Sequence, residues 1–385
     1  MTSRERLIAT LKGEKVDRPA VSFYEIGGFN INPDDPDKYN VYNSPSWKPL
    51  LELASNYTDI IRLASPVRAE SHSSWSGNSK SDSENQIVER SEWEEGNDRF
   101  ARLTYKINNK KLTSLTKRNK DIDTVWTIEH LLKNTDDVRT FLELPDEIFE
   151  EQIDVKPLFK QEAELGDTGI IMVDTEDPLC AMGTLFSMDD FTVFAFTEED
   201  LCHQLLKKHA SYIHKRTEQA AREFPGRLWR IYGPELASEP FLPPHLFSEY
   251  VVRYDKPMVE MIQRHNGFVR LHSHGNMNGI LDHIAGMKVD AIDPIEPPPQ
   301  GDVELEYVRQ KYGRQMVLFG NLEIADIENM PSDKFRMVVR RSIKEGTNGD
   351  GRGFVLMPSS SPCTREVSEL TLRNYKIIIE ELRVI

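Results

Sequence analysis

Phe268-Val-Arg-Leu-His-Ser-His-Gly-Asn276 is a short apolar run that ends in two histidines two positions apart, followed by a glycine and an asparagine. Alternate side chains of a β-strand point to the same side. The pattern therefore predicts a strand whose inward face carries Arg270, His272 and His274. Because such a polar face is costly inside a protein unless it is paired or bound to something, we expect a functional site at the end of this strand.

Short strands alternate with helical segments along most of the chain. The predicted strands are Ala20–Tyr24, Asp59–Leu63, Gly169–Asp174, Leu228–Tyr232, Phe268–Ser273, Ala291–Pro294, Met316–Gly320 and Gly353–Met357. This alternation indicates parallel βα units, and about eight strands favour a (β/α)8 TIM barrel, with a doubly wound open sheet as the alternative. No GxGxxG or GxxxxGKS/T motif follows a strand, which disfavours a nucleotide-binding open sheet.

The N-terminal half carries a segment that does not fit the barrel pattern. Residues 66–97 are polar and predict a long surface loop, which we interpret as a lid or partner-docking segment. Arg99–Ile107 and Lys111–Thr116 alternate around Asn108-Asn109, a pattern that predicts a β-hairpin. The expected organisation is a single barrel domain over residues 1–385, with an insertion at about 66–118.

Composition excludes several classes of protein. A net charge of −15 without a cluster of Lys and Arg disfavours a nucleic-acid-binding protein. No apolar run approaches the ~20 residues that span a bilayer, and the N-terminus lacks the apolar core of a signal peptide. Three cysteines without a CxxC pattern disfavour a disulfide scaffold. We therefore expect a cytoplasmic protein that acts on a small-molecule substrate.

The active site of a parallel barrel lies at the carboxyl ends of its strands, so the residues just after each strand are the candidates. Nearly every predicted strand ends in a group that can ligate, titrate or donate a hydrogen bond. The candidate catalytic groups are Asp174, Glu235 and Glu296, and the candidate substrate-binding groups are Arg270, Asn321 and Ser360.

The two histidines suggest a metal. A catalytic zinc ion commonly has three protein ligands and one open position. His272 and His274 would supply two nitrogens, and the third ligand would come from Glu235, Glu323 or Cys363. In the alternative interpretation the histidines bind neighbouring carboxylates, or a substrate carboxylate, without a metal.

Several motifs together resemble the uroporphyrinogen decarboxylase superfamily. They are Arg4-Glu-Arg-Leu-Ile-Ala-Thr-Leu-Lys-Gly13 with Val16-Asp-Arg-Pro19, Leu271-His-Ser-His-Gly-Asn276, Met287-Lys-Val-Asp-Ala-Ile-Asp-Pro294, and Tyr312-Gly with Leu318-Phe-Gly-Asn321. The resemblance covers essentially the whole chain apart from residues 66–118. It implies a (β/α)8 barrel, in agreement with the strand count, and homodimers are common among similar barrels.

One branch of this superfamily consists of metal-free decarboxylases, which bind a polycarboxylate tetrapyrrole through an arginine-rich N-terminal motif. The matching stretch here, Pro19-Ala-Val-Ser-Phe-Tyr-Glu-Ile-Gly-Gly28, lacks both arginines. Because a substrate with many carboxylates needs cationic partners, the resemblance disfavours decarboxylation of uroporphyrinogen.

The other branch contains zinc-dependent methyltransferases that act with corrinoid proteins or thiols. Their zinc motif is His-x-Cys with a distal Cys after the last strand. Here His272 matches the first position, His274 replaces the cysteine, and serine replaces the distal cysteine within Pro358-Ser-Ser-Ser-Pro-Cys363. The resemblance therefore implies a zinc-dependent methyltransferase that acts on a methylated small molecule or a methyl-corrinoid, with a corrinoid protein as partner. A metal-free decarboxylase and a non-catalytic binding barrel are the alternatives.

Overall fold

The computed structural model describes residues 1–67 and 87–383. Eight parallel strands form one sheet in the order β1-β12-β11-β10-β9-β8-β7-β2. These strands are β1 (Ala20–Val21), β2 (Ile60–Ala64), β7 (Gly169–Glu176), β8 (Leu228–Tyr232), β9 (Phe268–His272), β10 (Ala291–Asp293), β11 (Val317–Leu322) and β12 (Phe354–Pro358). The predicted parallel βα architecture is confirmed. The first strand is shorter than the predicted Ala20–Tyr24.

The sheet curls so that its two outer strands approach each other. The backbone N–H of Asp59, just before β2, donates a 2.7 Å hydrogen bond to the carbonyl of Val21 in β1. The carboxylate of Asp59 also accepts a hydrogen bond from the N–H of Val21, at 2.9 Å. This geometry is compatible with a TIM-like barrel.

Helices connect the strands and pack against the outer face of the sheet. The first helix, Ser3–Lys12, begins with a capping box between Thr2 and Glu5 and ends at Gly13, which has a left-handed φ of 73°. The other α-helices are Glu25–Gly28, Lys48–Tyr57, Thr135–Leu142, Lys156–Leu165, Pro178–Gly183, Met188–Thr197, Glu199–Glu223, Pro244–Phe247, Arg253–Arg264, Leu281–Gly286, Leu305–Tyr312, Ile324–Asn329, Ser332–Gly346 and Glu369–Leu382. A π-helical turn, Ser248–Val252, precedes Arg253–Arg264.

Alternation along β9 separates two regions of the core. Val269 and Leu271 pack with the helices in the larger hydrophobic cluster. A smaller cluster fills the inside of the curled sheet with one or two side chains from each of several strands, including Met172, Phe319 and Met357. The intervening residues of β9 point inward, as the sequence predicts, because successive strand side chains alternate between faces.

A second sheet is inserted between β2 and β7. It is antiparallel, with strands β3 (Val88–Glu95), β4 (Asp98–Ile107), β5 (Lys110–Asn119) and β6 (Val125–Glu129) in sequence order. The predicted hairpin corresponds to β4 and β5 and is confirmed. The interpretation of residues 66–97 as a loop is wrong for Val88–Glu95, which pairs along its whole length with β4. The reason is that mostly exposed strands carry no apolar alternation from which to predict them.

The central part of the predicted polar loop, residues 68–86, lies outside the described residues. The insertion extends beyond the expected residue 118, because β6 ends at Glu129. None of the helices within residues 1–67 and 87–383 combines the length and apolar character needed to cross a bilayer.

Candidate active site at the carboxyl ends of the parallel strands

His272 is held in place at the end of β9 by a carboxylate from the neighbouring strand. The parallel register sets Asp293 of β10 opposite His272. Nδ1 of His272 lies 2.7 Å from Oδ2 of Asp293. The guanidinium of Arg270 also donates to both oxygens of this carboxylate through Nε and Nη2. Asp293 therefore fixes the imidazole and the guanidinium together.

Burial and charge set the protonation of this group. Burial alone would raise the pKa of Asp293, but the charges of Arg270 and His272 outweigh it and hold the pKa below its ordinary value. Burial lowers the pKa of His272, although Asp293 opposes the shift. The imidazole is therefore neutral at neutral pH, with its proton on Nδ1 facing Asp293, so Nε2 keeps a free lone pair.

His274 has a carboxylate partner of its own. Its Nδ1 lies 2.9 Å from Oε1 of Glu296, and the N–H of Gly275 donates to Oε2 of the same carboxylate at 2.7 Å. Burial opposes protonation, but the Glu296 hydrogen bond outweighs it and raises the pKa of His274. The two imidazole rings stand perpendicular with their centroids 4.6 Å apart. Both Nδ1 atoms are thus occupied by carboxylates.

Next to the histidines lies a layer of ion pairs in which the arginines are buried and Asp174 is half-buried. Arg230 of β8 donates to both oxygens of Asp174 in β7, with Nε–Oδ1 at 2.6 Å and Nη2–Oδ2 at 2.9 Å. Its Nη1 donates to the hydroxyl of Tyr24. The Tyr24 ring is stacked on that of His272, with centroids 6.0 Å apart. The layer supports the imidazole.

Other buried polar groups that follow the strands lack hydrogen-bond partners among the described residues. Buried side-chain oxygens with no hydrogen-bond partner among the described residues include Oε2 of Glu235, Oδ1 of Asn321 and Oε1 of Glu323. Glu235 is close enough to His274 for its charge to raise the pKa of that imidazole. Because an unpaired buried polar atom is costly, these oxygens are available to a ligand.

A comparison with models of protein families identifies the family of this chain. The model of the family described as uroporphyrinogen decarboxylase (URO-D) matches residues 134–362, which is more than half of the 385 residues. The chain belongs to the uroporphyrinogen decarboxylase family. This confirms the resemblance inferred from the sequence motifs. No curated protein matches the chain.

Solved structures support the same fold for this family member. A methyltransferase from Methanosarcina mazei superposes with a TM-score of 0.58 at 16% sequence identity. The alignment covers 100% of this chain and 99% of the other. At this identity the likeness concerns the fold.

The expected zinc ligands of this URO-D family member are only partly brought together. Within residues 1–67 and 87–383, no three His, Cys, Asp or Glu side chains are arranged so that they could hold a metal ion. Even so, the donors are of the right kind. Two imidazoles whose Nδ1 atoms are held by carboxylates present Nε2 in the way typical of metal ligands. Oε2 of Glu235 is buried without a hydrogen-bond partner among the described residues, and the charge of Glu235 acts on His274.

Cys363 and Ser360 differ from the other candidates in their surroundings. The thiol of Cys363 is exposed. Burial raises its pKa, and the next contributions come from Glu328 and Asp123 rather than from groups around the histidines. Ser360 is half-buried, while its neighbour Ser359 donates to Oε2 of Glu323 at 3.2 Å. Cys363 is therefore a weaker candidate ligand than Glu235.

Sequence reasoning assigned substrate or catalytic roles to two residues that the structure shows in ion pairs. Arg270 is only 1% exposed and is bound to both carboxylate oxygens of Asp293, which favours a positioning role. Asp174 is bound to Arg230 in the same manner. The predicted roles of these two residues stay predictions. The residues that sequence reasoning missed are Asp293, Arg230 and Tyr24, and the inward parity of Arg230 and Asp293 is a signal that could have identified them.

The ionisation of Glu323 provides a test of the electrostatics of the site. Burial and the nearby charge of Glu296 raise its pKa to about 7. In the unfolded chain the carboxyl loses its proton at lower pH, so the folded state loses stability as the pH rises from the ordinary value to about 7. We expect Glu323→Gln to flatten this decline and to stabilise the protein by about 1–2 kcal/mol at pH 8, after allowance for solvent screening.

Urea unfolding at pH 5, 6, 7 and 8 measures this effect. The control is Glu260→Gln, which changes an exposed residue and should leave the pH profile as in the wild type. An unchanged profile for Glu323→Gln would contradict the assigned burial of an ionisable carboxyl.

Proposed function

We propose that the protein is a methyltransferase-like enzyme of the URO-D family that acts on a methylated small molecule or a methyl-corrinoid. The observation that carries this proposal is the perpendicular pair His272 and His274, each with Nδ1 bound to a carboxylate. This leaves two Nε2 atoms for a shared ligand above β9. In this proposal a corrinoid protein is the partner of the enzyme.

We also propose that the eight parallel strands close into a (β/α)8 barrel that forms a single domain, with the antiparallel sheet as its insertion. The backbone hydrogen bond between Asp59 and Val21 supports closure between β1 and β2. In such a barrel the histidines lie at the carboxyl-terminal mouth, where barrel enzymes hold their active sites.

We further propose that zinc is held by His272, His274 and Glu235. Bound zinc would lower the pKa of an acceptor thiol and so favour the thiolate that receives a methyl group. In this arrangement Asp293 keeps the His272 proton on Nδ1, and Glu296 orients His274. Arg270 anchors the carboxylate of Asp293, and Arg230 anchors that of Asp174.

The decarboxylase alternative has weaker support. A carboxylated substrate requires cationic groups that are free to bind it. Arg230 and Arg270 point inward, but each is already bound to both oxygens of an aspartate. Their charge is therefore committed within the protein.

Metal content tests the proposal. The full chain, purified from zinc-supplemented medium, should contain about one zinc per chain by mass spectrometry of the metal. We expect His272→Ala to lose the zinc and to keep the thermal transition, whereas His245→Ala, an exposed histidine, should retain it. Wild-type protein without zinc, with a melting temperature that added zinc does not change, would overturn the zinc assignment.

Methyl transfer is tested separately from metal binding. The protein is incubated with methylcobalamin and a small thiol such as 2-mercaptoethanol, and the loss of methylcobalamin absorbance is followed. The thiolate sulfur forms a bond to the methyl group as the cobalt–carbon bond breaks, and its electron pair stays on cobalt, so the products are the methyl thioether and cob(I)alamin. Zinc-loaded protein that does not accelerate this loss, with no other methylated donor active, would argue against methyl transfer.

A further inference from the structure

A cavity lies between the antiparallel sheet and the helices Pro178–Gly183 and Glu199–Glu223. Its volume is about 580 Å³, within the range of small-molecule sites. One wall consists of side chains from β4, β5 and β6, including Tyr105. The cavity reaches Glu176 and Tyr232 at the carboxyl ends of β7 and β8. It is therefore created by the insertion and borders the mouth of the parallel sheet.

Aromatic rings hold the cavity wall in a fixed arrangement. The ring of Phe141 is stacked on that of His209, with centroids 5.9 Å apart and an interplanar angle of 26°. Phe149 and Tyr212 are stacked at 5.6 Å and 11°. These four residues all line the cavity. Because the rings pack against one another, the apolar wall is preformed for a flat apolar ligand.

His209, one of the residues that line the cavity, carries one unpaired ring nitrogen. The residue is 3% exposed, and its Nδ1 lies 2.8 Å from the hydroxyl of Tyr212. Its Nε2 is buried without a hydrogen-bond partner among the described residues. Burial lowers the pKa of His209 to about 4, so the ring is neutral at neutral pH.

The Tyr212 hydroxyl bears on which nitrogen of His209 carries the proton. Burial raises the pKa of Tyr212, so this hydroxyl keeps its proton and is able to donate it to Nδ1. In the tautomer in which it does so, the ring proton lies on Nε2, a buried donor without an acceptor among the described residues. An unsatisfied buried donor destabilises the protein, and a ligand oxygen that accepts its hydrogen would remove this cost.

The charges around the cavity favour a neutral ligand. Among the described residues that line it, none is lysine or arginine. The carboxylate of Glu176 is occupied by Arg216 at 2.8 Å and by the Tyr232 hydroxyl at 3.2 Å. Burial and nearby carboxylates raise the pKa of the Cys180 thiol, so it stays uncharged. An anionic ligand would find a negative wall and no cation to pair with.

We propose that this cavity binds a neutral molecule with a single aromatic ring and an acceptor oxygen, which accepts a hydrogen bond from Nε2 of His209. The ring lies against Phe141 and Phe149, and the oxygen satisfies the buried donor. This binding site does not depend on zinc or on methyl transfer.

Two ligands of nearly the same shape test the proposal. Acetophenone carries an acceptor oxygen, and α-methylstyrene has a methylene group in its place. In calorimetric titrations of the full chain we expect acetophenone to bind at least about tenfold more tightly, equivalent to about 1.4 kcal/mol. Benzoate should bind more weakly than acetophenone because its charge is unpaired in the cavity.

Variants locate the binding site. His209→Phe keeps a stacking ring and removes the donor, so the preference for acetophenone should disappear. The control is His203→Phe on the same helix, whose Nδ1 bonds instead to the hydroxyl of Tyr254, and it should keep the preference. Ala181→Leu fills part of the cavity and should weaken the binding of both ligands. This second variant tests the site even where His209→Phe does not fold.

Three results with the wild-type protein would overturn the proposal. They are equal affinities for acetophenone and α-methylstyrene, tighter binding of benzoate than of acetophenone, and no binding of either neutral ligand at millimolar concentration. Unchanged binding of both neutral ligands to Ala181→Leu would also overturn it, because the ligands would then occupy another place.

Discussion

Asp293→Asn should lower the free energy of unfolding by about 3–5 kcal/mol. The carboxylate is fully buried and is the shared partner of Arg270 and His272. Arg270 is itself only 1% exposed, so the variant leaves a guanidinium charge in the core without its counter-charge. Loss of an ion-pair partner is far more damaging at a buried site than at the surface, where such pairs contribute little.

Urea unfolding followed by circular dichroism measures this loss. The control is Asp350→Asn, in which the side chain is 98% exposed and the expected change is within about 0.5 kcal/mol. At the proposed zinc site, Asp293→Asn should also weaken zinc binding, because the carboxylate that orients His272 through Nδ1 is gone. A stability change as small as that of the control would show that Asp293 does not carry the buried layer.

Asp255→Asn should have the opposite effect, a gain in stability at pH 8 of about 1–3 kcal/mol. Asp255 and Asp177 are both fully buried. Burial, and for Asp177 also the adjacent charge of Asp255, raises the pKa of each well above its ordinary value. The two carboxyl groups therefore hold a proton between them, and an asparagine amide would supply the same hydrogen permanently.

The sign of the pH dependence follows from these raised pKa values. The unfolded chain releases both protons at the ordinary pKa of aspartate, whereas the folded protein retains one at higher pH. Wild-type stability therefore declines as the pH rises above that ordinary value, and Asp255→Asn should remove the decline.

Urea unfolding at pH 5 and pH 8 tests this difference. Asp333→Asn is the matched control at an exposed aspartate and should change stability equally at both pH values. If Asp255→Asn destabilises the protein at pH 8 as Asp293→Asn does, the pair does not share a proton.

Asp293 and Asp255 show why the buried carboxylates were only partly predictable from the sequence. Both lie in ordinary sequence contexts, and a sequence does not reveal whether a buried carboxylate faces a cation or another acid. Asp293 has inward parity in a short strand, which is a readable signal. The partner of Asp255 lies 78 positions earlier in the chain, at Asp177, and only the packing of the helix Arg253–Arg264 brings them together.

The inserted sheet shows a different limit. Its central hairpin carries a turn signal at Asn108-Asn109 and was predicted, whereas β3 and β6 were not. Most residues of β3 and β6 are exposed or half-buried, so their formation depends on pairing with neighbouring strands. The cavity beneath this sheet was also unpredictable, because its lining comes from segments far apart in the chain.

The sequence by itself determined the alternation of strands and helices, the inward face of β9 and the membership of the URO-D family. These features depend on local periodicity and on short motifs, which a single chain displays directly. Tertiary structure alone decided the partners of the inward side chains, which are carboxylates for His272, His274 and the two arginines. It also left Nε2 of His209 without a hydrogen-bond partner among the described residues. The reason is that protonation and hydrogen bonding depend on burial and on neighbours from other strands, which are set only when the strands pair and the sheet curls.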